Sequence, residues 1–153
     1  MNSTELKYFN IRVYALIINE KKEILLSDEF RMGMRMTKFP GGGLHFGEGT
    51  IDCLKREAME EFQQEIEVIE HFYTTDYFQR AYFFPDHQLI SIYYIARFKE
   101  EPKFSTSSKA FNYMEEVEGA QSFRWLPLHE LNEEILTLPI DKKLASLLNE
   151  KFI

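Results

Sequence analysis

The feature that most constrains this chain is a run of three glycines followed closely by a segment with helical periodicity. The glycines are Gly41, Gly42 and Gly43, and the helical segment runs from Thr50 to Glu65. Glycine adopts backbone conformations closed to other residues and lets another group approach the main chain closely. A glycine-rich loop ahead of a helix can present backbone groups to a phosphate or a metal ion. An ordinary tight turn is the simpler interpretation of the glycines taken alone.

The helical segment separates into an apolar stripe and an acidic arc. At roughly 100° per residue, five apolar positions share one stripe, which predicts a core-facing surface. These positions are Ile51, Leu54, Ala58, Phe62 and Ile66. Glu57, Glu60 and Glu61 fall on a separate arc, where residues three and four apart are neighbours and like charges repel. Magnesium prefers carboxylate oxygens and would relieve that repulsion, whereas the alternative is a solvated acidic face.

Two further charged residues accompany the three carboxylates. Arg56 could pair bidentately with a carboxylate and hold the cluster in place. Glu48 stands in the loop, eight residues before Arg56. Either residue alone could equally be a surface charge, so only the joint pattern is specific.

The joint pattern resembles the Nudix box. That signature is a Gly, five residues, a Glu, seven residues, Arg-Glu, an apolar residue, any residue, Glu-Glu, any residue, a Gly and an apolar residue. At the same spacings this chain has Gly42, Glu48, Arg56, Glu57, Ala58, Glu60 and Glu61. Gln63 replaces the final Gly, which would suit a left-handed residue at the end of a helix. We therefore expect the helix to end differently and to continue to Ile66.

The resemblance implies an α+β fold, an α/β/α sandwich in which a mixed β-sheet lies between helices, as a single domain over residues 1–153. Segments rich in Val, Ile, Tyr and Phe independently predict strands, at residues 10–19, 23–26, 71–78, 89–98 and 122–126. Helices are predicted at residues 50–65, 128–134 and 141–151, with Thr50 and Asp141 as N-caps. Residues 19–22 predict a hairpin turn, and residues 99–119 predict a long surface loop.

The resemblance also implies a reaction. Members of the family hydrolyse a phosphoanhydride bond in nucleoside diphosphate derivatives such as nucleoside triphosphates, nucleotide sugars, ADP-ribose or dinucleoside polyphosphates. The implied cofactor is Mg²⁺, or alternatively Mn²⁺, which neutralises phosphate charge and activates water. Its implied ligands are Glu57, Glu60 and Glu61, with the carbonyl region of Gly42.

The general base and a further metal ligand stay open at this point. One of the helix carboxylates, Glu57 or Glu60 among them, or Glu48 would take a proton from the attacking water, with Arg56 holding the cluster. The base must lie within hydrogen-bond reach of that water, which residue spacing does not show. Family members often recruit an acidic residue from a distant loop. Glu116 and Glu118 are candidates, and solvated loop charges are the alternative.

Substrate selection is less constrained by the residues. Arg31 and Arg35 precede the box and could meet phosphate oxygens, or could simply be solvated. Tyr77 and Phe78 could stack on a base. Because the chain holds 14 Phe and 8 Tyr, packing in the core is the favoured interpretation for these two aromatic residues.

Composition excludes several other classes of function. The formal net charge of −7 disfavours binding to long nucleic acids, which normally requires a basic surface. A small nucleotide remains a suitable partner, because a metal can supply positive charge locally. No apolar run is long enough to cross a membrane. A single cysteine and the lack of a secretory segment predict a cytoplasmic protein, and a homodimer is left open.

Two other functions on the same fold are alternatives. A non-catalytic sensor of nucleotide ligands would have no need of all three helix carboxylates. A prenyl-diphosphate isomerase would need a well-placed cysteine. Cys53 lies in the predicted helix, on a side pointing away from the apolar stripe, so a reactive role for its thiol is left open but is not the favoured interpretation.

Overall fold

A computed structural model describes residues 4–152 of the protein. Within these residues the chain forms seven β-strands and two α-helices, which confirms the predicted α+β class. The strands are β1 (Tyr8–Ile17), β2 (Glu23–Arg31), β3 (Met34–Lys38), β4 (Gly41–Gly43), β5 (Ile66–Thr74), β6 (His87–Phe98) and β7 (Gln121–Pro127). The helices are α1 (Thr50–Phe62) and α2 (Pro139–Phe152). The bounds of the predicted domain, Met1 and Ile153, lie outside the described residues.

The chain divides into two compact units, and the first contains the box segment. It comprises residues up to Ala15 together with Gly41–Glu100. Its strands belong to a sheet with the order β4-β1-β6-β5, so that β4 lies at an edge. β1 and β4 are antiparallel, with Val13 opposite Gly42. β5 and β6 are also antiparallel, with two register shifts along β5.

Helix α1 belongs to the first unit and buries one face. Leu54, Ala58 and Phe62 are buried on the predicted stripe, and the ring of Phe62 meets Phe98 edge to face at 5.3 Å. Burial of one such leucine side chain is worth about 1.5–3 kcal/mol. Ile51 departs from the prediction, since 43% of its surface stays exposed at the start of the helix.

The second unit comprises Leu16–Pro40 and the residues from Glu101 onward. Its sheet has the order β3-β2-β7, with both pairings antiparallel. Asp28 on the central strand is fully buried. Its carboxylate accepts two hydrogen bonds from Arg124, at 2.8 and 3.2 Å, and one from Thr37 at 2.6 Å. These bonds supply the partners that a buried charge requires.

The start of α1 differs from the prediction that Thr50 is its cap. Gly49 occupies the N-cap position, and its backbone N–H donates to the Asp52 carboxylate at 3.2 Å. Thr50 is the first helical residue, and its hydroxyl shares a 2.6 Å hydrogen bond with that of Tyr94. The Thr50 hydroxyl, which we predicted to cap the helix, therefore bonds to Tyr94 on the distant strand β6.

The end of α1 also differs from the prediction. The helix stops at Phe62 and does not continue to Ile66, which begins β5. Gln63 adopts the left-handed conformation, with φ 54° and ψ 33°, and its N–H donates to the Met59 carbonyl at 3.1 Å. The helix thus ends as it would with glycine, although the residue is glutamine.

Several other predicted bounds of strands and helices are wrong, because the local composition is not typical of the element that forms. β3 and β4 were not predicted, because Met-Arg-Met-Thr-Lys and a glycine run both lack the residues typical of strands. β5 begins five residues before the predicted His71. The predicted helix over 128–134 is a 3₁₀ turn of three residues, Leu128–Glu130. Asp141 does not cap α2, since it is buried within the first turn.

The predicted hairpin turn and long loop are confirmed. Residues 19–22 join β1 to β2, and the Asn19 side-chain oxygen accepts hydrogen bonds from the backbone of Lys21 and Glu23, both at 3.0 Å. Residues 99–120 contain no helix or strand. Asparagine suits such turns because its short side chain satisfies backbone donors two or more residues later.

We expect Gln63→Gly to stabilise the protein. Glycine removes the strain of a left-handed side-chain-bearing residue, while the unfolded chain gains some freedom, leaving about 0.5–1 kcal/mol of net stabilisation. Gln63→Ala is the matched control. Both variants lose the 2.9 Å hydrogen bond from the Gln63 side chain to the Glu60 carbonyl, but only alanine keeps the backbone strain. Denaturant titration measures the free energy of unfolding, and equal values for both variants would contradict the argument.

Candidate active site

The glycine strand β4 brings the main chain against helix α1. A methyl group built on Gly42 would lie 2.3 Å from Glu57 Oε1 and 2.5 Å from Glu57 Cδ. The carboxylate therefore occupies the volume that any other side chain at Gly42 would need. One glycine of the box thus determines where one glutamate of the box can lie.

Arg56 connects three carboxylates to the glycine strand. Its Nε and Nη2 donate to the two oxygens of Glu48 at 3.0 and 2.7 Å, in a bidentate pair. Its Nη1 donates to Glu57 Oε1 at 2.9 Å and to Glu60 Oε2 at 3.2 Å. Nη2 also donates to the Gly43 carbonyl at 3.0 Å. A single guanidinium thus offsets the mutual repulsion of acidic side chains from the loop and the helix.

The electrostatic environment of Glu48 argues against a role as general base. Hydrogen bonds from the Arg56 side chain, and then one from the His45 backbone N–H, lower the pKa of Glu48 to about 2. A carboxylate that binds protons this weakly, with both oxygens already hydrogen-bonded, is a poor acceptor for a proton from water. The arrangement suits Glu48 to holding Arg56 in place.

The helix carboxylates differ in exposure. The side chain of Glu57 is 16% exposed and that of Glu60 is 57% exposed, while Glu61 is half-buried. Glu60 can therefore change its rotamer readily, whereas the less exposed carboxylate of Glu57 lies against the main chain at Gly42. Within residues 4–152, no three His, Cys, Asp or Glu side chains are already arranged around a common point suited to a metal ion.

The remaining predicted charges lie in the second unit and have partners there. Arg31 pairs with Glu29 at 2.5 Å, and Arg35 pairs with Glu116 at 2.6 Å. The Glu118 carboxylate accepts the backbone N–H of Met32 at 2.9 Å. Each of these four candidate residues therefore has a partner within the second unit, and Arg35 and Glu116 are paired with each other.

Tyr77 and Phe78 lie in the first unit, beyond the end of β5. Their preferred interpretation as core residues is wrong, since they are 38% and 55% exposed. The guanidinium carbon of Arg80 lies 5.9 Å from the centre of the Phe78 ring. Part of each side chain is therefore accessible to solvent.

Cys53 is fully buried, which argues against the reactive role that the sequence left open. Burial, and after it the negative charge of Glu48, raises the pKa of the Cys53 thiol to about 11. Its Sγ lies 3.6 Å from the Gly43 carbonyl and 3.6 Å from Arg56 Nη2. A protonated, inaccessible thiol packs under the glycine strand and is unsuited to catalysis.

Sequence reasoning missed Arg12 as a residue of this neighbourhood. Arg12 lies directly opposite Gly43 in the pairing of β1 with β4. Neither the distance of Arg12 from the box in the sequence nor the residues beside it indicate that it belongs near the site. Only recognition of the glycines as a strand, together with the register of that strand on β1, would have found it.

Comparison with known proteins identifies the family. The family model described as the NUDIX domain matches residues 9–148. The chain belongs to the Nudix hydrolase family. The predicted family and the predicted enzyme class, a pyrophosphohydrolase acting on acid anhydrides in phosphorus-containing compounds, are confirmed. Family members act on small nucleotide substrates, in agreement with the partner expected from the sequence.

Solved structures share the fold at low sequence identity. The MutT protein from Methanosarcina mazei Go1 is 22% identical, with a TM-score of 0.68 over 97% of this chain and 98% of its own. A Nudix hydrolase from Nitrosomonas europaea is 17% identical, with a TM-score of 0.69 over 94% and 90%. An ADP-ribose pyrophosphatase from Streptococcus suis 89-1591 is 17% identical, with a TM-score of 0.59 over 93% and 90%. Identities this low show the fold alone.

None of the curated protein sequences compared with this Nudix chain matches it. In the part of the chain that the structure describes, neither helix has the length and apolarity needed to cross a membrane.

We predict that Gly42→Ala displaces the Glu57 carboxylate and lowers turnover of a nucleotide substrate by tenfold or more. The obstacle is a flexible side chain, so the free energy of unfolding should change by less than about 2 kcal/mol. Gly49→Ala is the matched control, because its φ of −80° suits alanine and a methyl group there meets Asp52 at 3.5 Å. Steady-state kinetics decide the matter, and equal turnover in the two variants would contradict the predicted role of Gly42.

We also predict slow alkylation of Cys53 in the folded protein. With a pKa of about 11, about a thousandth of the thiol is ionised at pH 8, against roughly a quarter of an exposed cysteine. Iodoacetamide should therefore react at least a hundredfold more slowly with folded than with urea-unfolded protein, and the rate should rise as the pH approaches 11. Mass spectrometry follows the reaction, and a folded rate within tenfold of the unfolded rate would show the thiol to be available.

Proposed function

We propose that this Nudix hydrolase acts as one domain and uses Mg²⁺, or alternatively Mn²⁺, to hydrolyse a phosphoanhydride bond in a nucleoside diphosphate derivative. Glu57, Glu60 and Glu61 would hold the metal together with the carbonyl of Gly42. Arg56 and Glu48 would orient these groups. The proposal rests on family membership and on the arrangement of the box residues.

One observation carries the proposal more than any other. The carboxylate of Glu57 fills the space left by the missing side chain of Gly42, and it shares the Arg56 guanidinium with Glu48 and Glu60. A half-buried carboxylate pressed against main-chain atoms, with a second carboxylate beside it, is an unusual arrangement for a solvated acidic face. It supports a site built to hold positive charge next to the backbone.

The chemistry of the donor set fits a hard divalent cation. Carboxylate and carbonyl oxygens are the ligands that magnesium prefers. A cation bound there would polarise the phosphate oxygens and lower the pKa of an attacking water. Glu60 and Glu61 would turn toward Glu57, and the 57% exposure of the Glu60 side chain leaves room for that rotation.

The chain's own residues have distinct roles in the proposal. Glu48 orients Arg56 through two hydrogen bonds, and its pKa of about 2 leaves proton transfer to the helix carboxylates Glu57, Glu60 and Glu61. Arg56 keeps Glu57 and Glu60 close together through its Nη1. Glu116 would have to exchange its ion pair with Arg35 for the metal before it could act as an additional ligand.

The substrate class is a nucleotide whose phosphates are linked by an anhydride. The structural neighbour named an ADP-ribose pyrophosphatase makes ADP-ribose one candidate, besides nucleoside triphosphates, nucleotide sugars and dinucleoside polyphosphates. The exposed rings of Tyr77 and Phe78 could stack on a base, a contact worth about 1–3 kcal/mol. Arg31 and Arg35 remain candidates for phosphate contacts.

A prenyl-diphosphate isomerase is disfavoured by Cys53, because its thiol is buried and its pKa is raised to about 11. A non-catalytic sensor is disfavoured by the Arg56 network, which gathers carboxylates that mere recognition of a polyanion would not require. Neither alternative is supported by an observation of its own.

We expect the purified protein to release phosphate or nucleotide from at least one member of a substrate panel when Mg²⁺ or Mn²⁺ is added. The panel comprises nucleoside triphosphates, ADP-ribose, nucleotide sugars, dinucleoside polyphosphates and NADH, with products resolved by chromatography. EDTA should abolish the reaction, and excess metal should restore it. Hydrolysis that persists in EDTA would refute the metal-dependent mechanism, and failure on every compound would refute the proposed activity.

Two variants extend this experiment to single residues. Glu60→Gln and Glu61→Gln should each lower turnover by a factor of a hundred or more, because each removes a negative ligand from the metal. Glu67→Gln is the matched control, since Glu67 is an exposed glutamate of the same unit that pairs with Arg97. If either box variant retains the turnover of the control, that residue is not part of the site.

A further inference from the structure

The two faces of the glycine strand meet different partners. Side chains alternate between faces along a strand, so Gly42 and Gly43 present opposite sides. The Gly42 side faces Glu57 on α1. On the Gly43 side, a built methyl group would lie 3.4 Å from Nη1 of Arg12. A carboxylate and a guanidinium therefore approach the same edge strand from its two faces, with only backbone between them.

The position of Arg12 follows from strand pairing and from its contact with Tyr14. Arg12 lies directly opposite Gly43 in the pairing of β1 with β4. Because Gly43 has no side chain, the Arg12 side chain has room to lie beside it. Its Nε donates to the Tyr14 hydroxyl at 3.3 Å, and its guanidinium carbon lies 5.9 Å from the centre of the Tyr14 ring. The Tyr14 ring in turn stacks on the fully buried Tyr93, with centroids 5.2 Å apart. The guanidinium is thus oriented by an aromatic pair anchored in the core.

Arg12 places a guanidinium, a group that binds anionic ligands, on the face of β4 opposite α1. On the α1 face, Glu48, Glu57 and Glu60 gather around the guanidinium of Arg56, and this acidic set suits a metal ion. On the other face, a half-buried guanidinium reaches over Gly43. Guanidinium groups bind phosphate through paired, charge-assisted hydrogen bonds. A nucleotide lying across the edge of β4 would meet the metal on one side and Arg12 on the other.

We propose that Arg12 is a substrate-binding residue, which donates to a phosphate oxygen of the nucleotide at the edge of β4, on the face opposite α1. The inference rests on the proposed function, because it assigns this contact within the same site. It gives Arg12 a role in affinity more than in the chemical step, since Glu57 and the other carboxylates lie on the other face.

Steady-state kinetics of Arg12 variants test this inference. Arg12→Gln should raise KM by tenfold or more and change kcat by less than threefold, because the contact is already made in the ground state. Arg12→Lys keeps the charge and loses the paired donors, so its KM should lie between that of the wild-type protein and that of Arg12→Gln. Arg97→Gln is the matched control, since Arg97 belongs to the same unit and is an exposed residue paired with Glu67. A KM for Arg12→Gln within twofold of this control would overturn the inference.

Chemical modification provides a readout independent of hydrolysis and of variant folding. Phenylglyoxal reacts with arginine, and peptide mass spectrometry gives separate rates for Arg12 and Arg97 in the wild-type protein. ADP with Mg²⁺ should slow modification of Arg12 several-fold and leave the rate at Arg97 unchanged. Equal effects of ADP at the two arginines would mean that Arg12 only packs against Tyr14.

The two measurements separate failure of this inference from failure of the proposed function. If the wild-type protein hydrolyses a nucleotide while Arg12 behaves like Arg97 in both tests, the activity stands and the Arg12 contact is refuted. If no nucleotide is hydrolysed but ADP protects Arg12 selectively, the binding role stands and the proposed activity falls.

Discussion

The Arg56 guanidinium is the group on which the arrangement of the candidate site depends. Through five nitrogen–oxygen contacts it joins Glu48, Glu57, Glu60 and the Gly43 carbonyl. Acidic residues on neighbouring turns of a helix repel one another, and charge-assisted hydrogen bonds are roughly twice as strong as neutral ones. The cation therefore makes a dense carboxylate cluster compatible with a stable helix. It also ties that helix to the glycine strand.

The second constraint is steric, and it concerns the glycines. A methyl group built on Gly41 would lie 2.2 Å from the Val13 carbonyl oxygen, and one on Gly42 would lie 2.3 Å from Glu57. The first conflict is with backbone, which cannot move without disturbing β1. The second is with the carboxylate of Glu57, which a methyl group at Gly42 would displace from its present position. The glycines thus permit strand pairing in one case and carboxylate placement in the other.

Local patterns predicted much of the fold and of the site. The helical period placed Leu54, Ala58 and Phe62 on the buried face of α1, and the box spacing identified Arg56 and the carboxylates it gathers. Predictions failed where a distant partner outweighed a local preference. Thr50 bonds to Tyr94 in place of capping the helix, and Gln63 takes a conformation typical of glycine because β5 must begin three residues later.

The sequence by itself determined the family and the helix that carries the acidic residues of the candidate site, because these depend on spacings within one short segment. Tertiary structure alone decided which residues from elsewhere join or leave that neighbourhood. Arg12 comes to Gly43 through strand register, Arg35 meets Glu116 across 81 residues, and Cys53 is buried under the glycine strand. Register and burial arise from packing between segments far apart in the chain, and no local pattern encodes them.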